Sequence, residues 1–193
     1  MSKNLPCWKK FSKALKSGKS AKDFGFECKD GEISRINARY RLVKSFRGLE
    51  LDGYSQTILQ KYNSLFRIFL AYSLFEVYLK KALGIRENFY IKSYELLDKR
   101  GEELSKRMEK NKKFYAFLYE YLDKNHKREV EKFLDGREYN VIYLISSIRH
   151  IFSHGILPAS RLIAPKRITE AILETILGFV EEDFAKKVCK DMK

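Results

Sequence analysis

The stretch from about Tyr54 to Leu83 constrains the fold more than any other. Ile58, Leu59, Tyr62, Leu65, Phe66, Phe69, Leu70, Tyr72, Leu74, Phe75, Val77 and Tyr78 recur at helical spacing. Between residues 65 and 79 these side chains wrap more than half of the helix surface. A helix of that kind has almost no solvent face and belongs in the middle of a bundle. The run is broken by Arg67, Ser73 and Glu76 and is shorter than a membrane span, which makes it a core helix. Gly84 is a natural stop, and Lys80 and Lys81 before it suit the negative helix end.

The other segments follow the same period. Trp8, Phe11 and Leu15 suit a short amphipathic helix before Gly18, and residues 23 to 32 read as a loop. Helical spacing returns from Glu32 to about Phe46 through Ile33, Ile36, Tyr40 and Val43. Residues 85 to 110 read as a connection with short helices around Tyr94–Leu97 and Leu104–Met108, separated at Gly101. Asn111 to Leu134 reads as two helices broken near Lys124-Asn125-His126. Asn140 is a suitable N-cap for a strongly apolar helix that should end at His154, where Gly155 supplies the C′ residue and Pro158 blocks continuation. Pro165 opens a last helix to about Val188. With only three prolines in 193 residues, the expectation is an all-α bundle of about five to seven helices. Its division is a basic N-terminal extension, residues 1–31, and a single helical domain, residues 32–193.

Charge narrows the function. Thirty-nine Lys and Arg against 25 Asp and Glu leave +14, which attracts polyanions whatever the fold. Nucleic acid is the first candidate, followed by an acidic membrane surface or an acidic protein. Up to Asp23 the only charged side chains are lysines. Lys9, Lys10, Lys13 and Lys16 belong either to a solvated, mobile arm or to one that lies on phosphates. Lys106, Arg107, Lys112 and Lys113 form a second cluster, although runs of this kind are commonly solvated helix faces. Cys7, Cys28 and Cys189 are odd in number and widely spread. They suggest neither a disulfide framework nor a zinc site. With no secretory signal in view, a reducing, cytoplasmic setting without membrane insertion is the expectation.

The chemistry concentrates in Ile148-Arg149-His150-Ile151-Phe152-Ser153-His154-Gly155, which holds two of the three histidines. On an ideal helix Arg149 and His154 point about 140° apart, so they converge only if the chain swings at Gly155. A histidine at a helix C-terminus is favoured in its protonated form. Imidazole beside guanidinium makes an anion site and an acid–base pair beside a phosphate clamp, which are the needs of a metal-free ribonuclease. His150 and His154, at i and i+4, also share a face as two metal ligands would. The Glu of His-Glu-x-x-His is missing, and no third ligand is evident nearby. A plain C-cap, with Arg149 in an ion pair, is the remaining reading.

The fuller pattern is an Arg, a polar residue, three more and a His, at the end of an apolar helix of an all-helical chain. It resembles the HEPN family, across roughly residues 54 to 188. The resemblance implies a helical bundle, usually dimeric, with two motif copies meeting across the dimer cleft. It implies a metal-independent, cofactor-free endoribonuclease of a toxin or antiviral-defence type, using the RNA's own 2′-hydroxyl and leaving a cyclic phosphate. By the same resemblance Arg149 holds the phosphate and His154 moves protons. His150 replaces the usual polar residue and orients the others or contacts RNA. Glu76 and Ser153 are auxiliary candidates, Glu76 being equally suited to an ion pair with another helix. One group of HEPN toxins carries a modified Tyr two residues after the motif His. Here that position is Ile156, so that form of control is not expected. The rivals are a non-catalytic basic module that binds RNA, and a protein whose charge is neutralised by an acidic partner such as an antitoxin.

Overall fold

The computed structural model describes residues 4–85, 89–97, 99–155 and 165–189, and every regular element among them is helical. Ile156 and Pro158 lie outside the described residues. In chain order the elements are α1 (Trp8–Lys16), a 3₁₀ turn (Ala21–Phe24), α2 (Asp30–Ser45), α3 (Gln56–Val77) and a π-helical turn (Tyr78–Ala82). They continue with α4 (Phe89–Leu97), α5 (Lys99–Met108), a 3₁₀ turn (Glu109–Asn111), α6 (Lys112–Tyr119), α7 (Lys124–Leu134), α8 (Val141–Ser153) and α9 (Pro165–Val188). No helix among the described residues is long and apolar enough to cross a membrane.

α3 is the central helix, as its apolar girth requires. Leu65, Ile68, Ala71, Tyr72, Leu74 and Phe75 are buried on it, and α9, α8 and α2 pack around it. The ring pairs Phe46–Phe66 and Phe69–Phe152 join it to the segment after α2 and to α8, and Phe75–Phe179 joins it to α9. α8 runs antiparallel to α3, because Phe152 meets Phe69 while Arg149 lies over Tyr72. α9 runs parallel to it, because Phe179 meets Phe75 and Asp183 accepts from the Tyr78 hydroxyl at 2.6 Å. Tyr40 of α2 likewise donates to Glu181 of α9 at 2.6 Å.

Polar contacts fix the start of α8. Asn140 accepts from the Ile142 backbone N–H at 2.9 Å, as its capping role requires, and its amide donates to the Tyr90 carbonyl of α4 at 2.6 Å. Its own backbone N–H donates to Glu129 of α7 at 3.0 Å. α8 is thereby held against both α4 and α7, and its C-terminal turn is delivered to a set place.

Three sequence expectations are corrected. Gly101 does not separate two helices. It lies inside α5, buried, where a Cβ would stand 3.4 Å from the Tyr94 ring and 3.6 Å from Leu97 and Val141. A methyl group there would be in ordinary van der Waals contact with α4 and α8. The break expected at Lys124–His126 falls just before it: α6 ends at Tyr119 and α7 opens at Lys124, with Asp123 capping the Asn125 and His126 N–H groups. Cys7 and Cys189, for which no disulfide was expected, are bonded to each other across 182 residues. No local spacing announces such a pair. It forms because Trp8 and Phe11 of α1 pack on Phe184 of α9 and bring the two segments together. The remaining thiol, Cys28, is buried, and burial pushes it up to about 11, so it is a poor nucleophile.

The lysine-rich segment is also part of this core. Phe11 is fully buried among Trp8, Phe24, Phe26 and Phe184. Phe11→Ala is therefore expected to cost about 3–5 kcal/mol in urea denaturation, the usual loss for a buried aromatic. A loss below about 1 kcal/mol would mean that α1 does not pack on the bundle in solution.

Candidate functional site

α8 presents its last two turns to α3 on one side and to α7 on the other. The helix keeps its hydrogen bonding to the end: the His154 N–H donates to the His150 carbonyl at 3.2 Å, and Gly155 follows with a φ of 70°. His154 therefore stays on the helical turn above His150, with ring centroids 4.5 Å apart. Among the described residues no hydrogen bond or ion pair joins Arg149 to His154. The swing at Gly155 that would bring those two side chains together is not what organises the site.

Arg149 turns toward α3. Its guanidinium lies 3.6 Å from Glu76 Oε2 and 6.0 Å from the centre of the Tyr72 ring. The other Glu76 oxygen accepts from Lys80 Nζ at 2.8 Å. Glu76 thus forms the ion pair with a cation of another helix that was one of the two expectations for it. At 3.6 Å the contact is an ion pair beyond hydrogen-bonding range, which leaves guanidinium N–H groups free for an anion. Arg149 Nε and the Tyr72 hydroxyl are buried with no hydrogen-bond partner. Burial, and then the nearby Tyr90, keeps the Tyr72 phenol protonated far above its ordinary range.

The third histidine joins from α7. His126 packs its ring on His150, with centroids 5.5 Å apart and planes 24° from parallel. All three histidines of the chain thus form one row. Tyr90 and Tyr143 close the other side of His126 at 5.7 and 5.3 Å. The sequence reading placed His126 at a helix break and assigned it no role. Asp123 and His126, at i and i+3 across a helix start, were the only local signal for it.

His126 is held at both nitrogens. Nδ1 lies 2.6 Å from Asp123 Oδ2, and Nε2 lies 2.8 Å from Ser146 Oγ. The carboxylate fixes a proton on Nδ1; in the neutral ring Nε2 then accepts from the Ser146 hydroxyl, which shares its single proton with the Tyr143 carbonyl at 3.2 Å. Burial of Asp123 works against its ionisation, but the backbone N–H and ring of His126 outweigh it and hold the carboxyl below its ordinary value. Burial pushes His126 down, and Asp123 only partly offsets that. His150 is also pushed down, first by burial and then by His126 and His154. The order Asp123–His126–Ser146 is that of a serine hydrolase triad. Ser146, however, is 1 % exposed within a helix, where no acyl group can reach it, so the chain of contacts is structural. Nor is His126 free to ligate a metal. Among the described residues no group of three His, Cys, Asp or Glu side chains is arranged to hold one.

The remaining candidates are spread out. The Ser153 hydroxyl donates back to the His150 carbonyl at 2.8 Å and takes no part in the row. Lys9, Lys10, Lys13 and Lys16 are exposed on α1. Arg107 pairs with Glu174 at 2.6 Å, and Lys112 donates to the Leu134 carbonyl at 3.2 Å, so both have internal duties. Lys106 and Lys113 are exposed. A large open cavity, about 840 Å³, lies between the turn after α3 and the Glu27–Glu32 segment. It is lined by Cys28, Lys80 and Lys81 and is separate from the histidine row.

Compared with protein-family models, curated proteins and solved structures, the chain gives no significant match.

The buried imidazoles set a sign for stability against pH. His126 and His150 have folded values below 6.5, so the unfolded chain binds more protons than the folded one just below that pH. Their contribution is intact above 6.5 and is lost as pH falls toward the folded values. Urea stability should therefore fall between about pH 6.5 and 5, and the double substitution His126→Gln, His150→Gln should flatten that slope. Stability that rises on acidification through this window would contradict the assignment.

Proposed function

We propose that this chain is a metal-independent endoribonuclease of the HEPN type, with a role as a toxin or antiviral-defence effector. The observation that carries the proposal is the row His126–His150–His154 along the end of α8, on the helix that also carries Arg149 with its Glu76 partner. Arg149 offers permanently charged N–H donors for the scissile phosphate, and Glu76 steers the guanidinium without consuming those donors. His154, the exposed end of the histidine row, moves the proton of the 2′-hydroxyl or of the leaving oxygen. Buildup of charge on the pentavalent phosphorus is met by Arg149. Attack by the RNA's own hydroxyl needs no cofactor and leaves a 2′,3′-cyclic phosphate.

The net charge of +14 supplies attraction for RNA, with the exposed lysines of α1, Lys106 and Lys113 as contributors. A homodimer that sets two such faces together would place two Arg149 and two His154 around one substrate. An acidic partner, an antitoxin for example, fits the same charge.

A second reading, a basic helical module that binds RNA without cutting it, is favoured by the exposed lysine face of α1. The two separate in one assay. Purified protein in EDTA should cleave mixed RNA, and Arg149→Ala and His154→Ala should each lose at least about 10²-fold in rate while remaining folded. Both variants cutting like the parent would remove the site. RNA bound but uncut, with affinity falling steeply with salt and spread over many lysines, would select the binding module.

A further inference from the structure

We infer that Asp123 and His126 are positioning residues of this site, setting His150 from the neighbouring helix; this rests on the ribonuclease reading above. The motif on α8 is thereby extended by a second helix. His126 is clamped in-plane by Asp123 at 2.6 Å and by Ser146 at 2.8 Å. Two in-plane hydrogen bonds fix both the tilt and the rotation of a ring. The fixed face of His126 lies parallel to His150, and His150 in turn lies edge-on to His154 at 4.5 Å. Ring orientation is thus handed from α7 to the exposed end of α8.

His126 cannot act as a proton carrier toward His150. Both of its nitrogens are already engaged, and stacked rings do not present N–H to lone pair. Its effect is steric and electrostatic. The charged and titratable groups around His150 are Asp123 and His126 from α7, Arg149 and His154 from α8, Glu76 from α3 beyond Arg149, and Tyr90 from α4 beyond His126. Within that set a neutral His126 excludes water from one face of His150 and keeps His150 uncharged next to Arg149. The cationic share of the site then falls to Arg149, and the proton-moving share to His154. Positioning of this kind has large effects because small misplacements of a reacting group are costly.

Asp123 also caps α7, so Asp123→Ala would confound two roles. Asp123→Ser keeps a capping oxygen but is too short to reach Nδ1, and Asp123→Asn restores an oxygen acceptor. Asp123→Ser should lower kcat for RNA cleavage about tenfold or more with KM within about twofold, and Asp123→Asn should recover most of the loss. With only three histidines, each imidazole can be followed by NMR. In His126→Gln the titration of His150 should rise, since the ring that shields one face of it from water and opposes its protonation is gone. Unchanged kcat in Asp123→Ser, together with an unchanged His150 titration in His126→Gln, would overturn the inference. A parent that cuts no RNA while His150 still responds would instead remove the ribonuclease reading and leave the coupling of His126 to His150 standing.

Discussion

A helix that is apolar around most of its girth must be covered from several sides, and α3 imposes that condition on the rest of the chain. α2, α8 and α9 answer it, two antiparallel and one parallel. The few polar groups carried on α3 are then forced against a neighbour. Glu76 and Tyr72 face α8, where Arg149 meets a carboxylate on one side and an aromatic face on the other. The lone acid in an apolar helix and the arginine near the end of another are two halves of one arrangement. Both side chains are partly exposed, so the ion pair links α3 to α8 with only a modest contribution to stability.

The second constraint comes from α7. Glu129 holds the start of α8 through the Asn140 N–H, and one turn earlier on α7 His126 meets Ser146 and His150. The same helix face thus anchors α8 and completes its histidine row. Keeping two imidazoles neutral beside an arginine costs stability in acid, and Asp123 offsets part of that cost by favouring their protonation. His126 and His150 stack, and His154 lies edge-on to His150, so the row runs from α7 to the exposed end of α8.

Much of this was legible in the sequence. The girth of α3, the Asn140 cap, the end of α8 at His154 and the opening of α9 at Pro165 all follow from local rules of period and capping. The contact of His150 with His154 follows from their i and i+4 spacing on one helix, whereas the convergence of Arg149 with His154 expected from a swing at Gly155 is not found. What escaped depends on contacts between distant segments. His126 has no periodic or motif signature; it becomes part of the site only through the crossing of α7 and α8. Cys7 and Cys189 are likewise joined by tertiary packing across almost the whole chain. Gly101 looked like a break because glycine is a poor helix former, but burial of α5 between neighbouring helices overrides that preference.

The most direct test of the central claim is a pair of chimeric oligonucleotides incubated with the protein in EDTA. Both are DNA except at one position, which carries ribose in one and 2′-deoxyribose in the other. The account predicts a single cut after the ribose, a 2′,3′-cyclic phosphate on the upstream product, and no cut in the all-deoxy strand. Equal cleavage of both strands would contradict it, because the 2′-hydroxyl would then not be the nucleophile, as the roles proposed for Arg149 and His154 require.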